Sequence, residues 1–115
     1  FGVRFSGYCS DMTRTIFLGK PSEEETEIYQ KVVFAQKKGI IAARAGVRAK
    51  DVDETARKEL GRLSKLFVHS LGHGLGTQVH EWPRVNTMSD TRLEKNMVIT
   101  IEPGVYKSGS FGIRI

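Results

Sequence analysis

The run Phe67-Val68-His69-Ser70-Leu71-Gly72-His73-Gly74-Leu75-Gly76-Thr77-Gln78-Val79-His80-Glu81-Trp82-Pro83 constrains this chain more than any other stretch. Glycines alternate at 72, 74 and 76, and each would cost a helix interior roughly 1 kcal/mol relative to alanine. The spacing predicts an extended or tightly turned segment. Alternating glycine also strips one face of side chains, so that a strand or a ligand can approach the backbone closely. All three histidines of the chain, His69, His73 and His80, lie here. His69 and His73 have the i, i+4 spacing of a helical zinc pair, but the glycines oppose a helix and no Glu follows His69. A metal bound at this stretch would need further ligands from elsewhere in the chain.

The flanking sequence supplies candidates. Phe1, Val3 and Phe5 alternate with Gly2, Arg4 and Ser6, a strand pattern, and Ser6-Gly7 offers turn chemistry. The β-rich run from Asp11 to Leu18 then reads as the second strand of a hairpin. Asp11, early on that strand, is disfavoured there by propensity. It is either a turn-end carboxylate bonding its own backbone or a carboxylate aimed at a site. Ser22 with Glu25 forms a capping-box pattern. Ile28, Val32, Ala35, Gly39 and Ala42 follow on one face, which predicts a helix over 23–45 closed by Gly46. Gly39 within it suits a close helix–sheet contact. A second helix is predicted over 50–63, with Val52, Ala56, Leu60 and Leu63 inward. Both helices read as structural. Glu81 to Arg84 reads as leading away from the site, and 86–95 as a loop. Val98 to Glu102 reads as a strand that Pro103-Gly104 ends sharply, with Glu102 at its C-terminal end. A carboxylate there must be paired, hydrogen-bonded or metal-bound. Phe111 to Ile115 begins a last strand.

Composition sets the outer bounds. A chain of 115 residues is at most one domain. No apolar run approaches the ~20 residues of a membrane span. The net charge of +5 is spread along the chain, with a mild excess over 31–65 interleaved with acids. That reads as the solvated face of two helices, without the aromatic-basic pattern of a nucleic-acid binder. The lone cysteine, Cys9, cannot form an internal disulfide, which fits a reducing, cytoplasmic setting. The chain starts in mid-pattern at Phe1 without Met and stops on an unfinished strand, so it is expected to be a fragment.

Asp11, His73 and Glu102 stand out as metal ligands. Carboxylate oxygens with one imidazole suit a hard or borderline divalent ion such as Mn, Co, Fe or Zn. The surrounding words are Gly7-Tyr8-Cys9-Ser10-Asp11-Met12-Thr13-Arg14-Thr15, His69 to Gly76, His80-Glu81-Trp82-Pro83, and Ile101-Glu102-Pro103-Gly104-Val105-Tyr106. In that order they resemble the catalytic domain of the Xaa-Pro peptidases, aminopeptidase P and Xaa-Pro dipeptidase (prolidase), over essentially the whole chain. The resemblance implies an α+β pita-bread fold of the creatinase/aminopeptidase type: two helices packed on a curved, mainly antiparallel sheet. Residues 1–115 would be part of that catalytic domain, with an N-terminal domain and the first half of the catalytic domain outside them.

The same resemblance implies two divalent ions, Mn or Co first, held by five residues. Asp11 matches a bridging Asp, His73 the sole histidine ligand, and Glu102 a ligand that also shuttles the proton. His80 matches the histidine that stabilises the tetrahedral intermediate, and His69 one that lines the substrate pocket. Arg114 and Tyr106 match residues that support the ligands. A further Asp before Phe1 and a Glu after Ile115 would complete the set. The implied reaction is metal-assisted hydrolysis of a peptide bond before proline, with an activated water as nucleophile. The substrate is a peptide with proline at the second position; no nucleic acid or membrane is expected, and a homodimer is allowed in the parent protein. Residues 1–115 alone are expected to bind at most one ion and to hydrolyse little or nothing. Methionine aminopeptidases share the scaffold and are the nearest catalytic alternative. Non-catalytic binding modules on the same fold typically lack the His or the Glu that this chain keeps.

Overall fold

The computed structural model describes residues 1–115. Two helices form where the apolar spacing places them. Helix α1 spans Glu23–Ala42 and opens with the expected capping box: Ser22 Oγ accepts from the Glu25 amide, and the Glu25 carboxylate accepts from the Ser22 amide at 2.7 Å. Its buried residues are Ile28, Val32, Ala35 and Gly39. Helix α2 spans Ala49–Leu60 and runs into a 3-10 turn, Gly61–Leu66. Ala49, Val52, Asp53, Ala56 and Leu60 are buried on it. Both helices end earlier than the periodicity predicts. Ala43 caps α1, and Gly46 sits in the following turn at φ +90 rather than at the helix end. Gly61, at φ 56, closes α2.

The strands form three antiparallel pairs. Strands β1 (Arg4–Phe5) and β2 (Tyr8–Cys9) make a hairpin around Ser6-Gly7 with Arg4 opposite Cys9. Its hydrogen bonding continues through Ser10 N–H to the Val3 carbonyl and Met12 N–H to the Phe1 carbonyl. The second strand is therefore earlier than expected. Residues 8–12 pair with the first strand, and 13–18 run on without a ladder partner. The turn fixes this, because a tight turn at 6–7 can place only the next few residues opposite 1–5.

Strand β3 (Gly72–Gly74) pairs with β4 (Glu81–Val85), and β5 (Gly104–Lys107) with β6 (Phe111–Arg114). The expected strand over 98–102 lies along the other edge of β3 without becoming a regular strand. Leu75 N–H bonds to the Val98 carbonyl, Thr100 N–H to the His73 carbonyl, and Glu102 N–H to the Leu71 carbonyl, each at 2.8–3.1 Å. β3 is thus held on both sides, and glycine permits it. A Cβ on Gly72 would collide with the Thr100 carbonyl, and one on Gly74 with the Trp82 carbonyl.

The core lies between the helices and these ladders. Ile28, Val32, Val52 and Leu60 meet Leu71, Val85, Val105 and Ile113. Gly39 makes the close contact expected of it: a Cβ there would fall 3.0 Å from Ile101 Cγ2. Gln36 of α1 donates to the Ile101 carbonyl at 3.2 Å, which ties the helix to the segment that ends in Glu102. The architecture is α+β, with two helices on antiparallel ladders. No helix is long and apolar enough to cross a membrane.

Candidate metal centre

The three predicted ligands converge. Asp11 comes from the extended residues after β2, His73 from the middle of β3, and Glu102 from the segment along its other edge. One ligand atom from each lies within 4.8 Å of the other two. His73 Nε2 is 3.1 Å from Glu102 Oε1 and 3.5 Å from Asp11 Oδ2. All three side chains are mostly buried, with 23% of Asp11, 14% of His73 and 15% of Glu102 exposed.

The protonation of His73 follows from its other nitrogen. Nδ1 lies 2.9 Å from the Gly74 carbonyl oxygen. A carbonyl only accepts, so Nδ1 carries the proton. In the neutral ring, Nε2 then points a lone pair at two carboxylates. That arrangement is repulsive unless a cation, a proton or a metal ion, sits between them. An imidazole nitrogen whose partner nitrogen is anchored on a backbone carbonyl is also the usual outer arrangement of a metal-bound histidine. The donor set fits a divalent ion of the Mn, Co, Fe or Zn kind.

Glu102 is itself held. Thr100 Oγ1 donates to Glu102 Oε1 at 2.8 Å and accepts from the His73 amide at 3.0 Å. One hydroxyl therefore links the backbone of one ligand to the carboxylate of another. Thr100 and Glu102 share a face by strand alternation, yet only the pairing of β3 with 98–102 turns that hydroxyl into a link. Arg114 Nη1 lies 3.7 Å from Glu102 Oε2, while its Nε donates to Thr13 Oγ1 at 3.1 Å.

Of the remaining predicted residues, His69, His80 and Arg114 line a cavity of about 1090 Å³. The His80 ring lies 4.3 Å from the His73 ring, centroid to centroid, on the exposed side of the cluster. His69 stands apart from the carboxylates. Its Nδ1 is 2.8 Å from the Ser70 carbonyl oxygen and must donate to it, so Nε2 accepts from the Tyr106 hydroxyl at 2.9 Å. Tyr106 thus holds His69 directly, and Arg114 and Glu102 also lie close enough to influence its phenol. Burial pushes its phenol above the ordinary value and the nearby Arg114 charge pulls the other way, so the hydroxyl stays protonated and able to donate. Glu81 to Arg84 do not leave the site: Glu81, Trp82 and Arg84 line the cavity. Pairing of β4 with β3 turns the chain back beside His73, which a local reading of the sequence could not show. Glu81 also closes the turn before it. Its carboxylate accepts from the Gln78 amide at 2.7 Å and from Thr77 Oγ1 at 3.0 Å, against Gly76, where a Cβ would meet it at 2.7 Å.

Comparison with known proteins gives a consistent picture. The model of metallopeptidase family M24 matches residues 1–115. The chain is 48% identical to a Xaa-Pro dipeptidase of Pyrococcus furiosus, over 99% of this chain and 33% of that protein. Among solved structures it superposes on an X-Pro aminopeptidase of Thermotoga maritima with a TM-score of 0.95 at 42% identity. It superposes on a prolidase of Pyrococcus horikoshii with a TM-score of 0.96 at 47% identity. Each covers 99% of this chain and 33% of the other. The chain therefore spans about a third of the length of the relatives it matches, and the fold implied by the resemblance in its motifs stands.

Proposed function

The chain belongs to metallopeptidase family M24, and from that premise we propose that it contributes a metal-dependent hydrolase site for peptide bonds that precede proline. One observation carries the reading: Nε2 of His73, whose Nδ1 is anchored on the Gly74 carbonyl, faces the carboxylates of Asp11 and Glu102 at 3.5 and 3.1 Å. The names of the similar proteins support the Xaa-Pro class over methionine aminopeptidase.

Asp11, His73 and Glu102 would hold the ion. A bound divalent ion supplies a water of lowered pKa and a positive centre near the scissile carbonyl. His80 stands beside His73 on the open side of the cluster, where an imidazole can donate to the carbonyl oxygen as negative charge develops on it. Glu102 accepts the proton of the attacking water and returns it to the departing proline nitrogen, a secondary amine that must be protonated to leave. The Thr100 hydroxyl on Oε1 keeps the Glu102 carboxylate oriented while it does so. His69, fixed by Tyr106, borders the pocket where the proline ring would lie. A complete two-ion site would need a further Asp and Glu, as the family resemblance implies. Mn or Co is the expected metal, and the setting is cytoplasmic, which the lone Cys9 supports.

The test is Mn²⁺ calorimetry combined with a panel of Xaa-Pro and Met-Xaa peptides, run on the intact protein and on residues 1–115. Binding of the ion, its loss in H73A, and cleavage of Xaa-Pro peptides by the intact protein are expected. For residues 1–115 alone, one weakly bound ion and little turnover are expected. No binding of Mn, Co or Zn to either form overturns the reading, and preferential cleavage after Met reassigns it.

A further inference from the structure

Helix α2 reads as purely structural in the sequence, but it carries an ion pair whose donors are turned toward the site. Asp53 is fully buried. Its Oδ2 accepts from Arg57 Nε at 2.6 Å, and its Oδ1 accepts from the Leu71 amide at 3.1 Å. A buried ion pair gains little over well-packed apolar residues, so helix support alone gives no reason for it. The rest of the guanidinium supplies one. Nη1 donates to the Phe67 carbonyl at 2.8 Å and Nη2 to the His69 carbonyl at 2.7 Å. The guanidinium carbon also lies 4.1 Å from the centre of the Phe67 ring.

Three backbone groups at alternate positions, 67, 69 and 71, are thus fastened to one pair on one helix. Residues 67–70 lie outside every strand, so no ladder holds them. The His69 ring at the middle of this arc is aligned by the Ser70 carbonyl and by Tyr106. Both of those bonds depend on where the backbone at 69–70 sits.

We propose that Asp53 and Arg57 are positioning residues for the substrate pocket: they hold the arc 67–71 so that His69 faces the cavity in a single tautomer. The proposal rests on the reading of His69 as a pocket residue of the proposed hydrolase. A guanidinium suits the task because its forked donors reach a carboxylate and two separate carbonyls at once. A lysine ammonium offers its donors from one point.

The experiment is a double-mutant cycle in the intact protein with R57K and H69A, read by kcat/KM on a Xaa-Pro dipeptide, by Mn²⁺ calorimetry, and by the imidazole ¹⁵N spectrum of His69 in the metal-free protein. R57K is expected to fold and to bind Mn²⁺ within about 3-fold of the parent, because Asp11, His73 and Glu102 do not touch the pair. Its kcat/KM is expected to fall roughly 10- to 100-fold, the scale of a small misplacement at a site. In the H69A background the same change should cost less than about 3-fold, since residues acting through one another are not additive. The His69 spectrum should change from one tautomer to a mixture. Equal losses in both backgrounds, or an unchanged His69 spectrum in R57K, overturn the proposal. If the parent protein binds no Mn²⁺ and cleaves no Xaa-Pro peptide, the hydrolase reading has failed. The His69 spectrum then decides the role of the pair alone. Should R57K not fold, the double change D53N/R57Q, which removes both charges together and keeps an amide donor at 57, enters the same cycle with the same criteria.

Discussion

Thr100 is the smallest side chain with a large expected effect on the centre. Its hydroxyl accepts from the His73 amide and donates to Glu102. T100V keeps the shape and removes both bonds. Metal affinity is expected to fall about 10- to 100-fold, the usual effect of losing an outer partner of a ligand. T100S should restore most of it, and calorimetry with Mn²⁺ reads both. Glu81 gives a pH signature of another kind. The Gln78 amide, then the Thr77 hydroxyl, hold its carboxyl below the ordinary value of 4.5. Such a group adds stability to its turn above the unfolded pKa, and that contribution is lost as pH falls through the lowered, folded value. Protection of the Gln78 amide, measured against its intrinsic exchange rate at each pH, should therefore fall on the acid side of 4.5. In E81Q the pH-dependent loss of protection should be absent.

At the level of single elements, backbone contact and helix capping separate cleanly. G72A sets a methyl against the Thr100 carbonyl, which is backbone and cannot rotate away. A loss of about 3 kcal/mol or more is expected in urea unfolding, with His73 displaced. S22A removes one half of the capping box and should cost only about 1 kcal/mol. These contrasts mark what the sequence could and could not disclose. His73 and Glu102 were legible because strand alternation and glycine spacing are local, and both side chains stand where those patterns put them. Asp11 was legible as a carboxylate near a strand, although it lies just after β2 (Tyr8–Cys9), in residues that still bond to the first strand, and not at the start of a strand over 11–18. Side chains over 11–17 do alternate between partly buried and exposed, but without an edge to pair with, alternation does not make a ladder. The link through Thr100, the return of β4 to the cavity and the grip of Arg57 on 67–69 join residues far apart in the chain. Each depends on packing that no local pattern encodes.

Over the whole molecule, shape and exposure are uneven. The Cα radius of gyration is 14.6 Å, above the roughly 13 Å of a compact chain of this length. The excess accompanies an N-terminal arm in which Phe1, Phe5, Ile16 and Leu18 are each at least 80% exposed. So much apolar surface beside an edge strand favours self-association. Residues 1–115 in isolation are expected to sediment as concentration-dependent oligomers. The triple change F5K/I16K/L18K should shift them toward monomer without altering Mn²⁺ binding.

The gathering of two carboxylates around one imidazole nitrogen also bears on the energetics of the entire chain. Folding alone must bring these groups within 4.8 Å of one another, against their mutual repulsion. A cation reverses the sign of that contribution and adds about 2.7 kcal/mol of stability when present at a hundred times its dissociation constant. The melting temperature should therefore climb with added Mn²⁺ and drop with chelator, and H73A should abolish the response. On the proposed reading, the folded fraction of the chain should follow the concentration of the ion.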